Sequence, residues 1–231
     1  MLKKITEVLL VPVTMLFLIS AAVYLTLACR PLYYFDIQYL KIAEESGYSE
    51  KEIRENYDAL IDYNLSPRQE KLEFPTLPMS REGEIHFGEV KVIFQLFLRI
   101  LAVTAPLVAA AVIVFCVKKW KVTFLKWAGL LTPLLVAVLA ILIAVDWDRA
   151  FVLFHELVFA NDYWLFDPAT DPVITILPDT YFLHCAVLIL ALILIGSAVC
   201  VILSRVQSLR GDSGSVKEKH NAQNARKRRE K

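Results

Sequence analysis

The sequence lacks the compact signatures that mark the commoner catalytic folds. Its seven glycines in 231 residues form no G-x-G-x-x-G, Walker or G-x-S-x-G pattern, which leaves nucleotide binding and serine-hydrolase chemistry without support. Its four cysteines, Cys29, Cys116, Cys185 and Cys200, all fall in or at the ends of apolar runs, with no CxxC and no Cys/His zinc spacing. They read as small buried hydrophobes rather than disulfide or metal partners. His155-Glu156 has no second histidine four residues on, so the zincin pattern is absent too. The last stretch, VKEKHNAQNARKRREK, holds almost no apolar residues and is expected to be disordered.

What the chain has is hydrocarbon. A hydrophobic fraction of 57% and a mean hydropathy of +0.51 exceed those of an ordinary soluble domain, and the apolar residues come in long blocks. Four blocks are long enough to cross about 30 Å of bilayer interior at 1.5 Å per residue. They predict an all-α polytopic membrane protein of four transmembrane helices, within 1–29, 92–117, 127–145 and 182–204. Leu27-Ala28-Cys29 faintly suggests a lipoprotein cleavage site. The apolar core before it is too long, however, and Thr26 stands where such sites carry leucine, so 1–29 is read as a retained span.

Charge sets the expected topology. The N-terminus, the short basic loop 118–126 and the tail 205–231 together hold fifteen Lys and Arg. The segment 30–91 holds eight against thirteen Asp and Glu, and 146–181 has only Arg149. The positive-inside rule then puts both termini in the cytoplasm, with 30–91 and 146–181 outside. The basic tail is assigned to anionic inner-leaflet lipids rather than to nucleic acid.

The outer segment 30–91 predicts a small α+β cap. Ser49-x-x-Glu52 is a capping-box signature, and Ile53, Tyr57, Leu60 and Ile61 repeat with helical period over about 50–64. Pro67, Pro75 and Pro78 then leave room only for a short strand at 72–74, which is expected to pair with the β-branched run 173–177. From Ser80 a helix leads into the second span with His86, Glu89, Val90, Ile93 and Phe97 on one face. Arg99 projects more than 120° away and is expected to snorkel or hold a lipid oxygen.

Three of the four histidines, His86, His155 and His184, fall near span ends on the outer side. Taken singly, an interfacial histidine is mostly an amphipathic anchor. Asp148, His155 and Asp162 are spaced seven apart, which puts them near one stripe if 146–161 is helical. A turn at Asn161-Asp162 would bring a carboxylate back to orient the imidazole for proton transfer. Asn161 is a candidate oxyanion donor, Glu89 a supporting acid, and Trp164 and His184 are candidate lipid contacts at headgroup level.

REGEIHFGEV at 81–90 and FHELVFANDYWLFDPATDPVITILPDTYF at 154–182, set in a four-span chain with a cap after the first span, resemble the bacterial lipoprotein intramolecular transacylase family. The likeness covers 1 to about 205. It implies an enzyme of the bacterial cytoplasmic membrane whose substrate is a diacylglyceryl-modified lipoprotein with a free N-terminal cysteine amine. The sn-2 acyl chain would move from glycerol oxygen to that amine. It also implies that His86 and His155 are the functional histidines. No cofactor or metal is needed for such chemistry, since an ester-to-amide transfer is downhill. Two other readings stay open from the residues themselves. One is a metal-dependent membrane hydrolase using outer-face His, Asp and Glu; the other is a non-enzymatic lipid- or lipoprotein-binding subunit.

Overall fold

A computed structural model describes the backbone of residues 2–229 and the side chains of 3–209. The described residues are helical or irregular, with no strand. The long apolar blocks become α1 (Leu2–Leu27), α5 (Arg81–Val117), α6 (Thr123–Val145) and α9 (Asp179–Arg229). All four pass the length and composition test for a membrane span, over Lys3–Leu27, Arg81–Val117, Thr123–Val145 and Asp179–Leu209. At 37 residues, α5 is about 55 Å long, well beyond the bilayer interior. The backbone of α9 continues as a helix to Arg229 where a disordered tail is expected; residues 230 and 231 lie outside the described residues.

Two compact units share the chain, 1–18 with 102–135 and 193–231, and 19–101 with 136–192. In the first, Leu18, Val108, Phe115, Phe124 and Cys200 form the core. Gln207 fastens the basic loop there: its Nε2 donates to the Trp120 carbonyl at 2.6 Å, and its Oε1 accepts from the Val122 N–H at 3.3 Å. Gly129 sits against α9 so closely that a Cβ would lie 2.5 Å from the Ser197 carbonyl oxygen. The cysteines are not uniformly buried. Cys200 is enclosed but Cys116 is exposed, because an apolar residue on a span is equally satisfied by lipid.

The second unit contains the segment after α1. It folds into α2 (Arg30–Tyr39), α3 (Ile42–Ser46) and α4 (Glu50–Leu65). The capping box of α4 forms as its sequence predicts: the Glu52 N–H donates to Ser49 Oγ, and the Ser49 N–H to Glu52 Oε2. Ile53, Tyr57, Leu60 and Ile61 are all buried. An aromatic core sits beneath. Tyr33 stacks on Tyr57 with centroids 3.7 Å apart, and the Tyr57 and Tyr181 hydroxyls are 2.8 Å apart.

The expected α+β cap instead consists of helices and irregular chain, with no strand among the described residues. Residues 72–74 are irregular, and the β-branched run forms α8 (Val173–Ile176), a single helical turn. Pro172 precedes this turn, and its carbonyl accepts from the Thr175 N–H at 2.9 Å and from the Thr175 hydroxyl at 2.7 Å. One turn of β-branched residues costs only a few tenths of a kcal/mol each relative to better helix formers. Burying Val173 and Ile176 completely, at 0% and 1% exposure, outweighs that.

A candidate active site at paired histidines

His86 lies in the N-terminal turns of α5, and His155 on the amphipathic α7 (Trp147–Val158). Asp146 caps α7 by accepting from the Arg149 N–H at 3.0 Å. Val152, Leu153, Phe154, Leu157 and Val158 are exposed, while His155 faces inward. An apolar outer face is what a helix in a membrane interface presents to lipid, and the same rotation turns the imidazole toward the protein.

The two rings come together, with centroids 6.1 Å apart. Both are enclosed, at 5% and 9% exposure. Aromatic side chains make the walls. Phe159 meets His86 edge-on at 4.7 Å, and Phe166 does so at 5.4 Å. Trp164 stacks on His155 at 4.7 Å, and Phe151 lies 4.2 Å from it. Trp164, expected at headgroup level with the lipid, is thus a wall of the histidine pair. Phe151, Phe159 and Phe166 were not read as site residues. The signal for them was the aromatic density of 151–166, which also fits an interfacial belt.

Among the described residues, no carboxylate hydrogen-bonds His155. Its Nδ1 lies 2.7 Å from the carbonyl oxygen of Phe151, one turn back on the same helix. A carbonyl only accepts, so Nδ1 carries the proton and donates it, leaving the Nε2 lone pair free. Burial pushes the His155 pKa down from the ordinary histidine value; the Phe151 carbonyl, which favours the protonated ring, opposes this. Asp148 and Asp162 are both exposed rather than folded back onto the ring. α7 ends at Val158, and the chain beyond it turns through Asn161, whose Oδ1 accepts from the Tyr163 N–H at 3.1 Å. That turn carries Trp164 to His155 instead of Asp162.

The remaining sequence candidates separate into holders and bystanders. Asn161 Nδ2 donates to Glu89 Oε1 at 2.9 Å, tying the turn after α7 to α5. Lys91 and Gln95 reach the end of α4 and the irregular chain after it: Lys91 Nζ donates to the Arg68 carbonyl at 2.8 Å, and Gln95 Nε2 to the Asn64 carbonyl at 2.7 Å. Asp171 crosses from the other side, with Oδ1 accepting from the Ser80 N–H at 2.8 Å. The segment that carries His86 is therefore tied by four hydrogen bonds to three other stretches of the chain. Arg99 is exposed, consistent with a side chain directed at lipid. His184, read as a lipid contact, instead has its Nδ1 2.9 Å from both oxygens of Asp36, a carboxylate with no exposure. Among the described residues, no group of three or more His, Cys, Asp and Glu side chains converges as metal ligands would.

Four membrane-length helices and an enclosed, aromatic-walled histidine pair define a polytopic membrane protein with a candidate site at the two imidazoles. The family model of the lipoprotein intramolecular transacylase Lit matches residues 8–182. The in meso structure of the membrane integral Lit from Bacillus cereus superposes with a TM-score of 0.87 at 33% identity, covering 92% of this chain and 98% of that one. Structures of that protein with a histidine replaced by arginine or by alanine give TM-scores of 0.80 and 0.81, each at 33% identity and covering 92% of this chain and 96% of theirs. No curated protein matches the sequence. The chain belongs to the Lit family, and its class of activity is that of a lipoprotein intramolecular transacylase.

Proposed function

We propose that the chain moves the sn-2 acyl group of a diacylglyceryl-cysteine lipoprotein onto the α-amine of the same cysteine, using the two histidines, at the outer face of the bacterial cytoplasmic membrane. The observation that carries this reading is the enclosed pair itself, with rings 6.1 Å apart and the proton of His155 committed to the Phe151 carbonyl. An imidazole with one free lone pair in a dry site takes and returns a single proton.

The step balances without a cofactor. His155 Nε2 takes a proton from the cysteine ammonium, and the amine nitrogen attacks the sn-2 ester carbonyl carbon. A C–N bond forms and the carbonyl oxygen gains charge. On collapse, the C–O bond to glycerol breaks, the imidazolium returns its proton to the sn-2 oxygen, and the nitrogen sheds its second surplus proton to solvent, leaving a neutral amide. His86, across the gap, hydrogen-bonds the carbonyl oxygen or shares the proton relay. The nucleophile belongs to the substrate, so an enzyme serine or cysteine has no part to play. Holding amine and ester on one tethered substrate supplies proximity at no cost in association. The aromatic walls keep water from competing as nucleophile.

Mass spectrometry of a reporter lipoprotein's N-terminal peptide, from cells with and without this chain, tests the reading. The expected product carries one N-acyl and one O-acyl group, and His155→Ala returns the lipopeptide to the diacylglyceryl form. A lipopeptide left diacylated by the intact chain overturns the reading. Full conversion by His86→Ala removes that residue from the mechanism and leaves the rest standing.

A further inference from the structure

Among the described residues, three of the seven enclosed polar atoms without a partner gather at the histidine pair: His86 Nδ1, Glu89 Oε2 and Trp164 Nε1. Elsewhere in this unit Thr26 Oγ1, Asn64 Oδ1 and Trp147 Nε1 are also unmet, while other buried polar groups have partners. Asn56 donates to both the Glu52 carbonyl and Thr76 Oγ1, and the Tyr33 hydroxyl to the Ile176 carbonyl. Natural proteins leave few buried polar atoms unpaired, and a cluster of them calls for a ligand.

Glu89 is the acid of the three, and among the described residues no cation pairs with it. Lys91 Nζ is committed to the Arg68 carbonyl and lies over the Tyr63 ring at 4.0 Å. Lys71 and Arg81 both pair with Glu84. Asn161 takes Oε1 and holds the carboxylate in place, which leaves Oε2 enclosed and unmet. An enclosed carboxylate oxygen without a cation is costly. A ligand that brings a positive charge with N–H donors removes that cost. Three residues along one helix, Glu89 is a neighbour of His86 on the same face. Both meet the same loop, His86 through Phe159 and Phe166, and Glu89 through Asn161.

We propose that Glu89 Oε2 receives the α-ammonium of the substrate's N-terminal cysteine and sets it beside the two imidazoles. The assignment rests on the transacylase reading above, which supplies an ammonium in the substrate and none in the product. It gives the site a means of telling the two apart. The ammonium is held by its charge; once acylated, the same nitrogen is a neutral amide with one N–H, and the grip on it is lost. Trp164 Nε1, a donor only, complements this by suiting an oxygen acceptor such as an ester carbonyl.

The test uses the purified full-length enzyme in detergent and two synthetic lipopeptides that cannot react, both with an ether at sn-2. One has a free N-terminal amine and the other is N-acetylated. The enzyme is expected to bind the amine form on the order of tenfold or more tightly, the usual margin for a charge-assisted bond. This preference is expected to fade as the pH rises through about 8, where an α-amine loses its proton. Glu89→Gln, similar in shape and able to keep the Asn161 contact, is expected to bind both forms alike, and Glu89→Asp to regain part of the preference. If Glu89→Gln fails to fold, the aspartate variant and the pH dependence of the native enzyme carry the test. A Glu89→Gln protein that still prefers the amine overturns the assignment, as does a native enzyme with no preference. Failure of the native enzyme to convert the ester-linked diacyl lipopeptide overturns instead the transacylase reading on which it rests.

Discussion

Asp171 accepts the backbone N–H of Ser80 at 2.8 Å across 91 residues of chain, so the second long loop caps the helix that carries His86. The carboxylate is nearly enclosed, at 3% exposure, and its other oxygen accepts from the Thr170 hydroxyl. Gly83, one turn into α5, leaves the space it needs: a Cβ there would collide with Asp171 Oδ1. Asp171→Ala is expected to cost about 1–2 kcal/mol, the worth of a helix cap, and Gly83→Ala to destabilise through the collision. Thermal unfolding in detergent measures both. Midpoints that stay at the native value would show the cap to be dispensable.

The pH profile should carry the mark of His155's surroundings. As the proposed base, His155 must be neutral to work, and burial lowers its pKa. The acid limb of kcat/KM is therefore expected below pH 6.5, the ordinary histidine value. Trp164→Ala opens the ring to water and is expected to move that limb upward toward the ordinary value. A limb unmoved by this change would mean that something other than the stacked indole sets the proton affinity.

Tyr33 tests the aromatic core beneath the site. Its hydroxyl donates to the Ile176 carbonyl at 2.6 Å, and the residue has no exposure. Tyr33→Phe strands that carbonyl and is expected to cost about 1–2 kcal/mol. Hydrogen exchange at 173–177 should rise in the variant, because α8 loses the contact that holds its end. Unchanged exchange would place the anchor of α8 elsewhere.

His184 and Asp36 are expected to behave as a structural pair. His184→Ala leaves an enclosed carboxylate without its donor and should cost about 3 kcal/mol, the lower end for a broken buried pair. Asp36→Asn keeps an acceptor for the Nδ1 proton and should cost less. Both are expected to lower the thermal midpoint while leaving the acid limb of the rate profile in place. A shifted limb would bring His184 into the chemistry.

Where the sequence was readable, one strong signal stood alone. The apolar blocks had no competing explanation, and four spans follow from length. Ser49-x-x-Glu52 with its apolar repeat left α4 no alternative, and α4 forms with both bonds of the box. The closeness of His86 to His155 was approachable because both lie near span ends, but their partners were not. A histidine takes its hydrogen bond from whatever lies near in space. For His155 that was a main-chain carbonyl, invisible to residue type, rather than Asp148 or Asp162. His184 met its carboxylate on α2, 148 residues away in the chain. The β-branched run failed as a strand because its signal was local, while burial at α8 was decided by Tyr33.

The bond from His155 to the Phe151 carbonyl lies within one helix, four residues apart. In enzymes whose histidine is held by a distant carboxylate, a shift in that remote element can change which ring nitrogen carries the proton. Here the tautomer is written into the pitch of α7 and travels with it. Changes in the loops around the pair alter what reaches the free nitrogen, while the identity of that nitrogen stays fixed. A chain of this kind can vary its loops to suit different clients and keep the same proton inventory.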